Sequence, residues 1–193
     1  MTDDDTGIRA VRAARSAVLS ETSGGRFERP TDGEFAENKG VFVTLSTYPD
    51  HGLRGCIGIP LPVLPLGEAL EEAARSACHD PRFPDLRERE LAHIAVEVTV
   101  MTVPQVIDCP KSDLPGRIEI GRHGLIITCG RRRGLLLPQV PVEWGWGQEE
   151  FLRQLSAKAG LPYDAWTLKD STIWSFTGEI FHELSPKGEI VRG

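Results

Sequence analysis

The stretch Gly40–Pro60, "GVFVTLSTYPDHGLRGCIGIP", sets the reading of the fold. Val41, Val43 and Leu45 alternate with Phe42, Thr44 and Ser46. That two-residue period belongs to a half-buried strand. "YPDHG" supplies turn residues, and the chain returns through Leu53–Ile59, so the stretch predicts an antiparallel hairpin. Alternation in the returning strand assigns Leu53, Gly55, Ile57 and Ile59 to the core face and Arg54, Cys56 and Gly58 to the other.

That second face poses a chemical question. A guanidinium beside a thiol favours the thiolate, and glycines let a ligand or another backbone approach closely. A thiolate with an open approach is what a cysteine nucleophile needs. The competing reading is structural. Free cysteine commonly acts as a small buried hydrophobe, and glycines in strands often mark bulges. Both readings stay open on the residues alone. The first predicts a cleft shared by Arg54 and Cys56, with Leu53 and Ile57 on the core side.

Working outward, residues 8–19 read as a helix. Ile8, Val11, Val18 and Leu19 form an apolar stripe, Arg12 and Arg15 fall on the polar side, and Asp3–Asp5 lie near the positive end. A Gly- and Pro-containing loop, residues 21–40, follows. "PLGEALEEAARSACHD" (65–80) is an amphipathic helix with Leu66, Ala69, Leu70, Ala73, Ala74 and Ala77 on one face. "DPRFPDLREREL" (80–91) is a structured loop or short helix, and "HIAVEVTVMT" (93–102) is a strand. "GRIEIGRHGLIITCGRRRGLLLP" (116–138) reads as three short strands. "GQEEFLRQLSAKAGLP" (147–162) is a helix closed by Gly160 and Pro162. "TIWSFTGEIFHEL" (172–184) reads as one final strand. Strands–helix–strand thus occurs twice. The expected fold is α+β: two similar β-and-α halves, at about 8–104 and 105–183, forming one largely antiparallel, barrel-like sheet with flanking helices.

Composition narrows the function classes. The chain has 193 residues, 22 basic against 28 acidic, for a net charge of −6. This argues against general nucleic-acid binding, which needs a basic footprint. Arg131–Arg133 reads as a solvated turn. Cys56, Cys78, Cys109 and Cys129 show no CxxC spacing, so neither a zinc site nor a disulfide framework is expected. The N-terminus is acidic where a signal peptide is basic, and no run approaches a membrane span. The expectation is a cytoplasmic protein with free thiols. GxGxxG, P-loop, GxSxG and HExxH signatures are absent, and no cofactor is expected.

Other candidates are Glu97, a carboxylate in an apolar strand; His79 at a helix end, as a base for Cys56 or a complement to the helix dipole; and Asp80, Arg82 and Phe83 in a Pro-bounded loop. Arg82 there suits a carboxylate or phosphate in a way lysine would not. His123 reads as a turn residue. Trp144 and Trp146 read as a packed lid, with an aromatic wall for a ligand or a docking edge as the alternatives, and Gln148 or the nearby acids open the next helix.

"LRGCIG" (53–58), "DPRFPDL" (80–86), "IAVEVTVMTVP" (94–104) and the long block 120–162 together resemble the AMME-syndrome candidate-region (AMMECR) domain family, known in prokaryotes as AmmeMemoRadiSam system protein A. Asp85 stands where the family usually has a second proline. The resemblance covers residues 8–183, and it implies one compact α+β domain. It implies that Leu53–Gly58 and Asp80–Phe83 line an active or binding site, without assigning a reaction. It also implies association with a Memo-type protein and a radical-SAM protein. Two functions follow. One is a thiol-dependent hydrolase or transferase on a small molecule, with Cys56, Arg54, Glu97 and His79 as catalytic candidates and Arg82, Gly55, Gly58 and Asp80 as substrate-binding ones. The other is a binding or adaptor module for a peptide, a small molecule or those partners.

Overall fold

A computed structural model describes residues 2–193. The chain forms two compact units, Met1–Thr102 with Glu179–Gly193, and Val103–Gly178.

The first unit opens with α1 (Asp4–Ser23). Asp3 caps it by accepting from the Thr6 N–H at 2.7 Å, and Gly24 closes it at φ +73, where a side chain would be strained. The expected hairpin is β1 (Val41–Thr47) and β2 (Leu53–Ile59). α2 (Leu66–Ala77) buries the whole Leu66–Ala77 face named above. A 3₁₀ helix, Glu88–His93, leads into β3 (Ile94–Met101). α1 and α2 pack on the sheet side of Val41, Val43, Leu45, Val96 and Val98, forming this unit's core.

In the second unit, β4 (Gln105–Val106), β5 (Gly124–Cys129), β6 (Arg132–Leu136) and β7 (Ser171–Phe176) form a sheet ordered β4-β7-β5-β6. The short α3 (Gln139–Glu143) precedes α4 (Gln148–Lys158). Phe151, Leu152 and Leu155 of α4 join Leu125, Ile127 and Ile173 in a second core. The chain then returns to the first sheet through β8 (Gly178–Glu183) and β9 (Ile190–Arg192), giving the order β2-β1-β3-β8-β9.

The α+β character and the antiparallel pairing agree with the sequence reading, with four corrections. The strands divide between two sheets rather than closing one barrel. Residues 116–138 hold two strands, since Pro115–Arg117 is a 3₁₀ turn and the positive φ of Gly121 turns the chain before β5. The last apolar run is two strands, β7 and β8, which belong to different sheets. Leu53 is 44% exposed rather than in the core. The cause is a bulge in β2: Leu45 pairs with Gly55 but Ser46 pairs with Leu53, which makes Arg54 the extra residue. One inserted residue exchanges the faces beyond it.

Candidate functional site

β2 is an edge strand, so part of its backbone lacks a neighbouring strand. The loop after α2 fills that gap. Asp80, almost fully buried, accepts from the Cys56 N–H at 2.8 Å, and Arg82 Nη2 donates to the Cys56 carbonyl at 3.2 Å. The two side chains also bind each other, Nε to Oδ1 at 3.0 Å and Nη2 to Oδ2 at 2.7 Å, and the Arg82 N–H reaches Oδ1 at 3.0 Å. The pair grips both backbone polar groups of one residue, Cys56, as a neighbouring strand would. Arg82's side-chain hydrogen bonds, followed by the backbone N–H donors of Cys56 and Arg82, hold the Asp80 carboxyl well below the usual carboxylate range, against the opposing cost of burial. Arg82 stays 55% exposed, so its guanidinium can also meet a ligand.

The motif glycines are closed by the protein itself. A Cβ on Gly55 would lie 2.3 Å from the Ala77 carbonyl oxygen, so glycine lets the end of α2 reach the strand. A Cβ on Gly58 would lie 2.3 Å from the Phe42 ring. Arg54 turns to Glu90, Nε to Oε1 at 2.9 Å and Nη2 to Oε2 at 3.3 Å, and to the Asp85 carbonyl at 3.4 Å. Glu90 is pinned in turn by the Arg87 N–H at 2.9 Å. Arg54 lines a shallow cleft with Pro84, Asp85, Arg87, Arg89 and Glu90. His79 is held between Asp85 (3.0 Å) and Glu21 (3.1 Å), and these carboxylates raise its pKa. Arg54 and His79 are therefore engaged with carboxylates, while the side-chain partner of Cys56 is Thr44.

The register brings a different set together. Cys56 lies opposite Thr44, and Thr44 lies opposite Glu97. All three point away from the helices. The Thr44 hydroxyl donates to Cys56 Sγ at 3.3 Å. Thiol and carboxyl are two strand spacings apart, about 10 Å. Glu97 is half-buried, and that burial raises its pKa; the field of His182 on β8 opposes the shift. Glu97 and His182 line a cleft of ≈ 260 Å³ with Ser46, His51, Ala95 and Leu184. Thr44, His51 and His182 were missed in the sequence. The strand period gives Thr44 the same face as Cys56, but the pairing of β3 with β8, which aligns His182, has no local signal.

Beneath this face lies a buried ion pair that the sequence reading placed wrongly. Arg15, set among exposed arginines above, is 7% exposed and paired with Glu183, itself 3% exposed. Arg15 Nε reaches Oε1 at 2.9 Å, and Nη2 reaches Oε2 and the Ile94 carbonyl. The Val96 N–H donates to the same carboxylate at 3.1 Å. Arg15 Nη1 is buried with no partner among the described residues.

The four cysteines are free thiols. Cys78 is buried, which pushes its pKa up to about 12. Among the described residues, no cluster of three or more His, Cys, Asp or Glu could hold a metal ion, and no helix is long and apolar enough to cross a membrane.

A mixed α/β chain with a clamped edge-strand motif defines a class of protein, and comparison gives the family. The AMMECR1 family pattern matches residues 11–181. A protein of Thermococcus onnurineus is 49% identical over 98% of this chain and 96% of its own length. Protein MJ0810 of Methanocaldococcus jannaschii is 50% identical, covering 97% of this chain and 94% of that one. The crystal structure of the uncharacterized protein PH0010 from Pyrococcus horikoshii superposes with a TM-score of 0.80 at 46% identity, covering 99% of this chain and 98% of the other. The chain belongs to the AMMECR1 family.

Proposed function

We propose that the protein is a thiol-dependent hydrolase or transferase acting on a small molecule laid across β2, β1 and β3. The observation that carries the reading is the cross-strand row Cys56–Thr44–Glu97. Each member has a role. The Asp80–Arg82 clamp fixes the Cys56 backbone from which the sulfur projects. Thr44 offers sulfur a hydrogen-bond donor. Glu97, held toward its neutral form by burial, can donate a proton. In the reaction, Cys56 attacks as the thiolate, and a sulfur lone pair forms a bond to an electrophilic acyl carbon of the substrate. The bond to the leaving group breaks, and that group departs with the electron pair and takes the Glu97 proton through a bridging water, because thiol and carboxyl stand two strands apart. Water or a second acceptor hydroxyl then attacks the thioester, passes its proton to Glu97 and expels Cys56 as the thiolate.

The test uses 4-nitrophenyl acetate as an acylating probe. A burst of nitrophenolate with the acetyl group retained on Cys56, lost in Cys56→Ser, is the expected result. In parallel, iodoacetamide at pH 8 should alkylate Cys56 first. Cys78, with a pKa of about 12, holds only about one thiolate in 10⁴ there and should be the slowest. If Cys109 or Cys129 is alkylated first and no acetyl group stays on Cys56, the thiol mechanism is wrong.

A second reading is favoured by one observation: both motif glycines and Arg54 are occupied by internal contacts. On that reading the motif is scaffold, and the protein is a binding module that acts with Memo-type and radical-SAM partners. Co-purification of the three from native cells supports it. Failure to co-purify, together with the acetyl-enzyme above, rejects it.

A further inference from the structure

The second unit carries a groove that this chemistry does not use. Its walls are Leu136 of β6, Val140 of α3, Trp144, Trp146, and Ala157 and Lys158 of α4, with Gln154 alongside. Its volume, ≈ 540 Å³, falls in the range of small-molecule sites. The positive φ of Gly145 (+66) turns the chain between the two tryptophans, and their rings stack at 6.0 Å and 20°. Trp146 packs against the second core and is the fixed member. Trp144 is 70% exposed. A large aromatic ring left in water, backed by an anchored one, is a costly surface for a free protein and a ready stacking platform for a ligand.

The charges choose the ligand. Lys158 is the one charged residue lining the groove, and its ammonium has no carboxylate partner among the described residues. The acids of the same helix are turned to another cation: Glu149 and Glu150 lie 3.8 and 3.7 Å from Arg153. Gln154 Nε2 is tied to Glu150 at 2.7 Å, which orients its amide. Glu143, beside Trp144 in the chain, does not line the groove. A flat ring can thus slide against Trp144 over an aliphatic floor, with a single cation at the rim and no opposing anion.

We propose that this groove binds a small aromatic or heteroaromatic molecule bearing one acidic group, its ring against Trp144 and its anion at Lys158. The site is separate from the thiol row, so either assignment can fail without the other.

The test compares two probes of the same ring and opposite charge, indole-3-acetate and tryptamine, by ¹H–¹⁵N NMR of the full chain. The four indole N–H signals are the readout. Indole-3-acetate should move Trp144 and Trp146 and leave Trp166 and Trp174 in place. It should bind about three- to tenfold more tightly than tryptamine, as befits one exposed charge. Lys158→Glu should reverse that order, and Trp144→Ala should abolish both responses while the remaining spectrum is unchanged. Equal binding of the two probes, movement of all four indoles, or no movement of Trp144 and Trp146 would overturn the proposal.

Discussion

Among the described residues, the first unit buries three charged side chains, Arg15, Asp80 and Glu183, whereas the second buries no charged one; its buried polar groups are the hydroxyls of Ser156 and Ser171 and the unpartnered indole N–H of Trp174. Ser156 donates to the Leu152 carbonyl of its own helix, and Ser171 donates to the carbonyls of Leu168 and Trp166. Such hydroxyls are inexpensive to bury once bonded. The charges of the first unit are not. A buried ion pair often stabilises no better than well-packed hydrophobes, because desolvation offsets attraction. The first unit therefore holds polar groups beyond what folding requires, and they lie under and beside the Cys56–Thr44–Glu97 face. The second unit is organised as an ordinary apolar core.

The sharpest way to break this contrast is to remove one charge from the buried pair. Glu183→Ala leaves Arg15 with the Ile94 carbonyl alone and the Val96 N–H unpartnered. The expected loss is about 3–5 kcal/mol in urea unfolding. Ser156→Ala in the second unit should cost about 1 kcal/mol or less. The double variant Arg15→Met, Glu183→Leu should recover most of the loss. If it stays as unstable as the single variant, the pair is a net stabiliser, and the contrast between the units loses its meaning.

The Asp80 clamp comes next. Asp80→Ala removes the acceptor for the Cys56 N–H and frees Arg82, with an expected cost of about 2–3 kcal/mol. Arg82→Lys cannot grip two oxygens and a carbonyl together, and it should cost about 1 kcal/mol, since Arg82 is more than half exposed. The pH dependence has a definite sign. Asp80 is held low in the folded state, so its contribution is fully present above the ordinary carboxylate range. It disappears as pH falls through the folded value. Asp80→Asn should therefore lose less stability than the parent between pH 4 and 2. Parallel acid curves would mean that the clamp adds nothing to folding.

Much of this was legible in the sequence, and what was not had identifiable causes. Local period sufficed for the β1–β2 hairpin, for the α2 face and for the helix after Gly147, because each buries a stripe dictated by its own residues. Thr44's side of the sheet followed from the same alternation. The bulge at Arg54 was hidden, since β2 alternates evenly as text and only its pairing with β1 reveals the extra residue. The division of residues 171–183 between two sheets was hidden for a similar reason: Thr177 alone separates β7 from β8 in a run whose apolar pattern is otherwise continuous. Arg15 was misplaced because its partner Glu183 is 168 residues away. A buried charge is recognised from its partner rather than from its neighbours in the chain.

The smallest expected effect bears most directly on the site. Burial raises the Glu97 pKa, so the folded protein keeps a proton there that the unfolded chain releases near the ordinary glutamate value. Between those two values the folded state binds more protons, and stability falls as pH rises. Above the window, ionised Glu97 is a standing cost. Glu97→Gln keeps the shape and the hydrogen-bonding capacity but cannot ionise. It should therefore raise the melting temperature at pH 7.5 by up to about 2–4 °C, corresponding to ~1 kcal/mol or less, and leave it unchanged at pH 4. If Glu97 is also the proton donor of the proposed reaction, the same variant should lower turnover of phenyl acetate, whose more basic leaving group needs a proton, more than that of 4-nitrophenyl acetate, while it gains stability. Opposite movement of the two measurements is the signature of a residue kept for chemistry at the expense of folding. A variant that is more stable and equally active would leave Glu97 a buried carboxyl with no part in the reaction. One that is less stable at pH 7.5 would show that the carboxylate has a partner which its neutral amide cannot replace.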